Sequence, residues 1–228
     1  MNIGNTPESL EARRELREGD VELSERAFNG VIGGVLLWGF LLNYLTVAFW
    51  GDDVVRMLSR DGASTVFFIA YFVLAIVGGI LIRRPSPVLS FVGYNLIAVP
   101  VGMVLCLALQ GAANSDVKTA VLMTAIVTLV FMIAATVFPD FFLSLGRVLL
   151  FGLGMLIVGG LVCALFFPQA TFAWVGAGLF SLYIGYDWAR ANTCARTLDN
   201  AVDLAANLYL DIINLLLRIL EIMARKKD

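Results

Sequence analysis

Apolar residues along this chain come in long blocks and do not recur singly. Seven such blocks run at Ala27 to Trp50, Ala63 to Ile82, Ser86 to Gln110, Thr119 to Phe138, Phe142 to Phe167, Thr171 to Trp188 and Asp199 to Ile222. Each holds about 20 residues, the length of helix that crosses about 30 Å of hydrocarbon at about 1.5 Å per residue. The links between them (GDDVVRMLSRDG, RRPSP, GAANSDVK, PD, PQA and ARANTCART) hold charges and turn formers. The pattern predicts an all-α integral membrane protein with seven transmembrane helices over residues 27–222. A charged cytoplasmic tail (1–26) precedes them and a basic tail (223–228) follows. Links this short make consecutive spans antiparallel, and an odd number of spans argues against a simple two-fold duplication.

The seventh block is unlike the others. Its polar residues Asn200, Asp203, Asn207, Asp211, Asn214 and Arg218 follow one another at gaps of 3, 4, 4, 3 and 4, which puts all six on one stripe of a helix. Such a stripe fits a helix lying in the membrane surface with its polar face wet. It also fits a helix buried in the bundle whose stripe lines an internal path. The apolar flanks of Asp211 (Leu208, Leu210, Ile212 and Ile213) and the use of Asn instead of Lys favour burial. At the end of the sixth block stands Asp187, with Tyr183 one turn earlier on the same face. An ionisable group in hydrocarbon costs at least about 2.5–3.5 kcal/mol, so each of these faces a partner, a cavity or water. Asp203, Asn207, Asn214 and Tyr183 are therefore candidate pathway-lining residues. Pro100 predicts a kink in the third span, Asn43 and Asn95 predict hydrogen bonds between helices, and the glycines of FGLGMLIVGG and WVGAG predict close helix packing.

Composition agrees. The chain is 60% hydrophobic and 15% charged, against about 45–50% and about 25% in soluble domains. Only six charged residues (Arg83, Arg84, Asp116, Lys118, Asp140 and Arg147) fall between Gly62 and Tyr186. A net charge of -2 provides no basic face for nucleic acid. Without histidine, acid–base work falls to carboxylates. Cys106, Cys163 and Cys194 are too scattered for a disulfide framework or a CxxC metal site, and read as packing residues. The first 26 residues carry seven acidic and four basic side chains and no apolar core, unlike a signal peptide. Basic residues number nine on the side of the amino terminus and seven opposite, which predicts a cytoplasmic amino terminus. No GxxxxGK[ST] loop and no EF-hand loop occur.

The segments SLYIGYDWARA and NLYLDIINLLLRIL resemble the signature of the Bax inhibitor-1 family, the transmembrane Bax inhibitor motif proteins. The close match covers about 35 residues, LYLDIINL being its most specific element, and the seven-span layout extends it over most of the chain. The resemblance implies six helices around a central seventh and, as in bacterial members, a pH-sensitive passive calcium leak in the inner (plasma) membrane. It implies that the paired aspartates are Asp187 and Asp211, acting as pH sensor and gate and as weak, transient ligands for calcium. It further implies that Arg83, more than Arg84, latches that pair. Asp187 and Arg83 both end spans on the amino-terminal side, whereas Asp211 lies about 18 Å into the last span by helical rise. Meeting Asp187 then requires that span to start outside the membrane or to tilt. No cofactor is expected; the partners are the bilayer and the calcium ion. A regulator that binds a membrane protease or death-pathway partner through its charged tail is the alternative. An intramembrane aspartyl protease fits poorly: LYLDII is no GxGD motif and no PAL element follows. An enzyme is therefore not expected.

Overall fold

The computed structural model describes Leu16, residues 20–166 and residues 170–224. Most of the tail at residues 1–26, residues 167–169 with the first two of the PQA link, and the basic residues Arg225, Lys226 and Lys227 lie outside the described residues. Among the described residues the secondary structure is all helical: α1 (Glu25–Leu58), α2 (Ala63–Ile82), α3 (Pro87–Ala108), α4 (Asn114–Val137), α5 (Pro139–Ser144), α6 (Gly146–Phe166), α7 (Ala170–Ala191) and α8 (Leu198–Ala224). In hydrocarbon only a helix satisfies every backbone donor and acceptor within its own segment. Helices α1 to α4 are long and apolar enough to cross a membrane, and α6 carries a shorter apolar run over Gly146–Gly160. Helices α7 and α8, of 22 and 27 residues, have the length but a more polar composition.

Two expected boundaries are corrected. The link GDDVVRMLSRDG was expected to end the first span at Trp50, yet α1 continues to Leu58. Asp53 and Arg56 pair one turn apart, and no proline interrupts, so the helix leaves the apolar layer without breaking. At 34 residues it is about 51 Å long, against about 30 Å of hydrocarbon. The fifth expected span, Phe142 to Phe167, is divided at Leu145 into the end of α5 and the start of α6. Ser144, Gly146 and Arg147 stand beside Leu145, a polar interruption in the apolar block at the point where the helix divides.

The chain forms two compact units. The first is Met1–Met103 with Arg190–Ala206, the second Val104–Ala189 with Asn207–Asp228. In the first, Ser24 caps α1 by accepting from the Ala27 N–H at 3.3 Å. The Leu23 N–H donates to the Arg196 carbonyl at 2.7 Å, tying the α1 entrance to the α7–α8 link. Gly62 takes the left-handed conformation (φ 75°) that turns α1 into α2. Helices α2 and α3 touch backbone to backbone: a Cβ on Gly93 would lie 2.5 Å from the Gly78 carbonyl oxygen. Tyr94, fully buried, donates from its hydroxyl to the Val35 carbonyl at 3.0 Å. Asn95 makes the expected interhelical bond, accepting from Trp38 Nε1 at 3.0 Å. Asn43 is buried, facing Gly102 of α3. Helix α3 runs through Pro100 without interruption.

In the second unit, glycines seat α6 against α7. Gly146 lies under Tyr186, Gly152 under Leu179 and Gly159 under Phe172, so the two helices are antiparallel. The expected packing role thus falls on Gly152 and Gly159, while Gly154 and Gly160 face open space. Phe142 sits against Gly185, in a buried cluster with Ala135 and Ala189. Trp188 Nε1 donates to Thr136 Oγ1 at 3.0 Å, linking the ends of α7 and α4.

Candidate functional site

Helix α8 carries most of the site, and its burial is the first observation. From Asp199 to Met223 no residue is exposed, and Asn200 to Ala206 are buried without interruption for two turns. By contrast α2, the most apolar helix, has only Gly78 and Ile82 buried. A surface helix would leave its polar stripe wet, so the burial rules that placement out and supports the buried one. The helix starts from Thr197, whose Oγ1 accepts the Asn200 N–H at 3.2 Å, while Asn200 Nδ2 donates to the Ala195 carbonyl at 2.8 Å.

Two relations orient α8 against α7. Tyr183 lies within electrostatic reach of Asp211, and Gly176 packs under Arg218, whose Nε would be 2.9 Å from a Cβ there. Seven residues back along α7 thus correspond to seven forward along α8, so the helices are antiparallel. In that register Asn207 is level with Asp187, and Asp211 stands one turn further along α8, about 6 Å of rise away. The first turn of α8 then projects past Ala191, the last residue of α7.

The residues of the stripe are placed as follows. Asp187, Asp203 and Asp211 are buried at 5%, 1% and 7% exposure. Tyr183, half-buried, lies within electrostatic reach of Asp211 and Asp187 alike, so the structure brings these three together. Asn207 and Asn214 are half-buried, and Asn214 Nδ2 donates to the Leu210 carbonyl one turn back at 2.8 Å. Arg218 closes the stripe, its Nη1 2.9 Å from Glu221 Oε2. Carboxylate and amide oxygens are the hard ligands a calcium ion takes. Among the described residues no group of three or more His, Cys, Asp or Glu side chains gathers. Cys106 is buried and Cys194 half-buried, and neither forms a disulfide with a described residue.

Arg83 caps the carboxyl end of α2 and is exposed, making no ion pair with a described residue. Three features escaped the sequence reading. Glu221 holds Arg218, and its signal was the three-residue spacing. Gly176 receives the Arg218 side chain, which no pattern in one helix reveals. Ser90 lies fully buried with its hydroxyl 3.2 Å from both the Ile82 carbonyl and Asp199 Oδ1, joining the end of α2 to the start of α8.

A long polar-striped helix with no exposed residue from Asp199 to Met223, among helices that turn apolar side chains outward, fits an all-helical integral membrane protein. The chain belongs to the Bax inhibitor-1 family: the family model described as inhibitor of apoptosis-promoting Bax1 matches residues 25–228. It is similar to an uncharacterized protein of Helicobacter pylori strain J99, 33% identical over 171 residues that cover 72% of each chain. A counterpart in Helicobacter pylori strain 26695 is 32% identical over 171 residues, again 72% of each.

Proposed function

We propose that this protein is a pH-sensitive passive leak for cations, calcium first among them, gated by Asp187 and Asp211. The observation that carries the reading is the enclosed stripe of α8, with Tyr183 in reach of both aspartates. Two carboxyl groups at this depth cannot both ionise cheaply, so the pair holds a proton between them, and its loss or gain changes how α7 and α8 attract each other. Asp203, Asn207 and Asn214 supply oxygens along the route, where weak and brief coordination suits a leak better than a tight site. Helices α1 to α4, α6, α7 and α8 are the seven spans, six around α8, with α5 as a short connector. The amino terminus lies in the cytoplasm and the membrane is a bacterial inner membrane, in keeping with the bacterial relatives. Arg83 latches the aspartate pair when the protein is closed. No cofactor and no catalytic step are needed, because the ion's own gradient drives the flux.

The test is calcium flux into proteoliposomes containing only this protein, measured over a pH series. A leak whose rate changes with pH, and whose pH dependence flattens in Asp187→Asn and in Asp211→Asn, supports the reading. Flux no greater than in empty liposomes at every pH overturns it.

A further inference from the structure

The second unit contains a cleft of about 590 Å³ between α4, α7 and α8, within the range of about 300–1,000 Å³ usual for small-molecule sites. Its walls are apolar: Met123 and Val127 from α4, Ala177 and Gly178 from α7, Leu215 and Ile219 from α8. The three helices bring matching ends together. Helix α4 runs parallel to α7, because the cleft residues of both lie on the amino-terminal side of the Thr136–Trp188 bond, and α8 runs opposite to α7. One end of the cleft therefore lies at Asp116 in the first turn of α4, Trp174 near the start of α7 and Met223 near the end of α8. The other end lies at Val127, Ser181 and Leu215.

The dimensions suit one occupant. From Asp116 to Val127 is about 16 Å of helical rise, about half of the ~30 Å hydrocarbon core, which is the reach of an acyl chain of one leaflet. Met123 and Trp174 at the cleft are 45% and 62% exposed, so it opens sideways, toward lipid. A Cβ built on Gly178 meets nothing within 4 Å, whereas the neighbouring Gly176 is filled by Arg218. An apolar slot opening into hydrocarbon takes up hydrocarbon, because water there would find no polar partners. At the mouth the Asp116 carboxylate attracts an ammonium group and repels an anionic headgroup. Glu221, beside the lining residue Ile222, is already held by Arg218, and Lys118, exposed on the turn of Asp116, is a cation for the phosphate of the same headgroup. Trp174 lines the same end of the cleft as Asp116, and tryptophan is the side chain that gathers at the headgroup level of bilayers.

We propose that this cleft binds one acyl chain of a phospholipid bearing an amine headgroup, with Asp116 receiving the ammonium group. The binding depends on residence in the membrane and is independent of the leak. The full-length protein is reconstituted in nanodiscs of equal parts phosphatidylethanolamine and phosphatidylglycerol, released into mild detergent and weighed by native mass spectrometry. One retained phosphatidylethanolamine per protein is expected, favoured over phosphatidylglycerol about fivefold, which is about 1 kcal/mol. Gly178→Leu, whose side chain enters the open space, should lower retention about tenfold. Gly79→Leu, at an equally open position on α2, should leave it unchanged. Asp116→Asn should keep the lipid and lose the headgroup preference. A thermal melt checks that Gly178→Leu is folded; if it is not, Ala177→Leu on the same wall replaces it and carries the same expectation. Retention of detergent alone, equal retention of the two lipids by the unaltered protein, or a folded wall variant that keeps the lipid overturns the proposal.

Discussion

Asp187 and Asp211, on two helices, both act electrostatically on Tyr183, so a change at one alters the field at the other. Residues coupled in this way do not act additively. The pH dependence of flux lost in Asp187→Asn should therefore be nearly all that is lost in the double variant with Asp211→Asn; two independent, summing effects would show the aspartates to be separate sites. Arg83 ends α2 exposed, where its long side chain is able to reach about one turn inward. Under the proposed function, Arg83→Gln should shift the pH midpoint of calcium flux. A larger shift in Arg84→Gln would move the latch by one residue, and no shift in either removes it. Glycine contacts set a third expectation. Gly93 meets the Gly78 carbonyl where no Cβ fits, so Gly93→Val should destabilise the protein by about 1–3 kcal/mol, as overpacking does, read as a fall in melting temperature.

Helices rather than boundaries were legible in the sequence. The limits of α2, Ala63 to Ile82, coincide with the apolar block, because a glycine turn stands at one end and two arginines at the other. The overrun of α1 was hidden because Gly51 and the charges after it look like a link. A solvated helix carries such residues if they pair along its face. At Gly51 a Cβ would meet nothing, and the residue is helical, so Gly51→Ala should raise stability by about 0.5–1 kcal/mol in a denaturation melt. The spacing that marked the stripe of α8 named the buried aspartates but left open which surface the stripe faces, because one helix's periodicity does not say what covers it. The Arg218–Glu221 pair and its seat on Gly176 depend on a neighbouring helix, which is why they emerged only from the fold.

For the whole molecule, the proposed seven crossings place the two ends of the chain on opposite sides. Reporter fusions at residues 2 and 228 should localise to the cytoplasm and to the far side of the membrane, respectively; the same side for both would exclude seven crossings. Exposure and hydrophobicity run in step: α2 is nearly all apolar, with half of its residues exposed and only Gly78 and Ile82 buried, while α8 holds Asp203, Asp211, Arg218 and Glu221 and exposes no residue from Asp199 to Met223. That contrast bears on biogenesis. During synthesis α8 emerges after the seven other described helices, and charged residues near the middle of a lone helix cost about 2.5–3.5 kcal/mol each on insertion from the translocon. Helix α2, offered alone between flanking reporter domains, should insert almost completely, whereas α8 offered alone should stay largely outside the membrane. In the proposed seven-span arrangement, α8 then enters the bilayer only as its binding surface is completed by the helices made before it, so that membrane insertion of this segment and tertiary folding are one event.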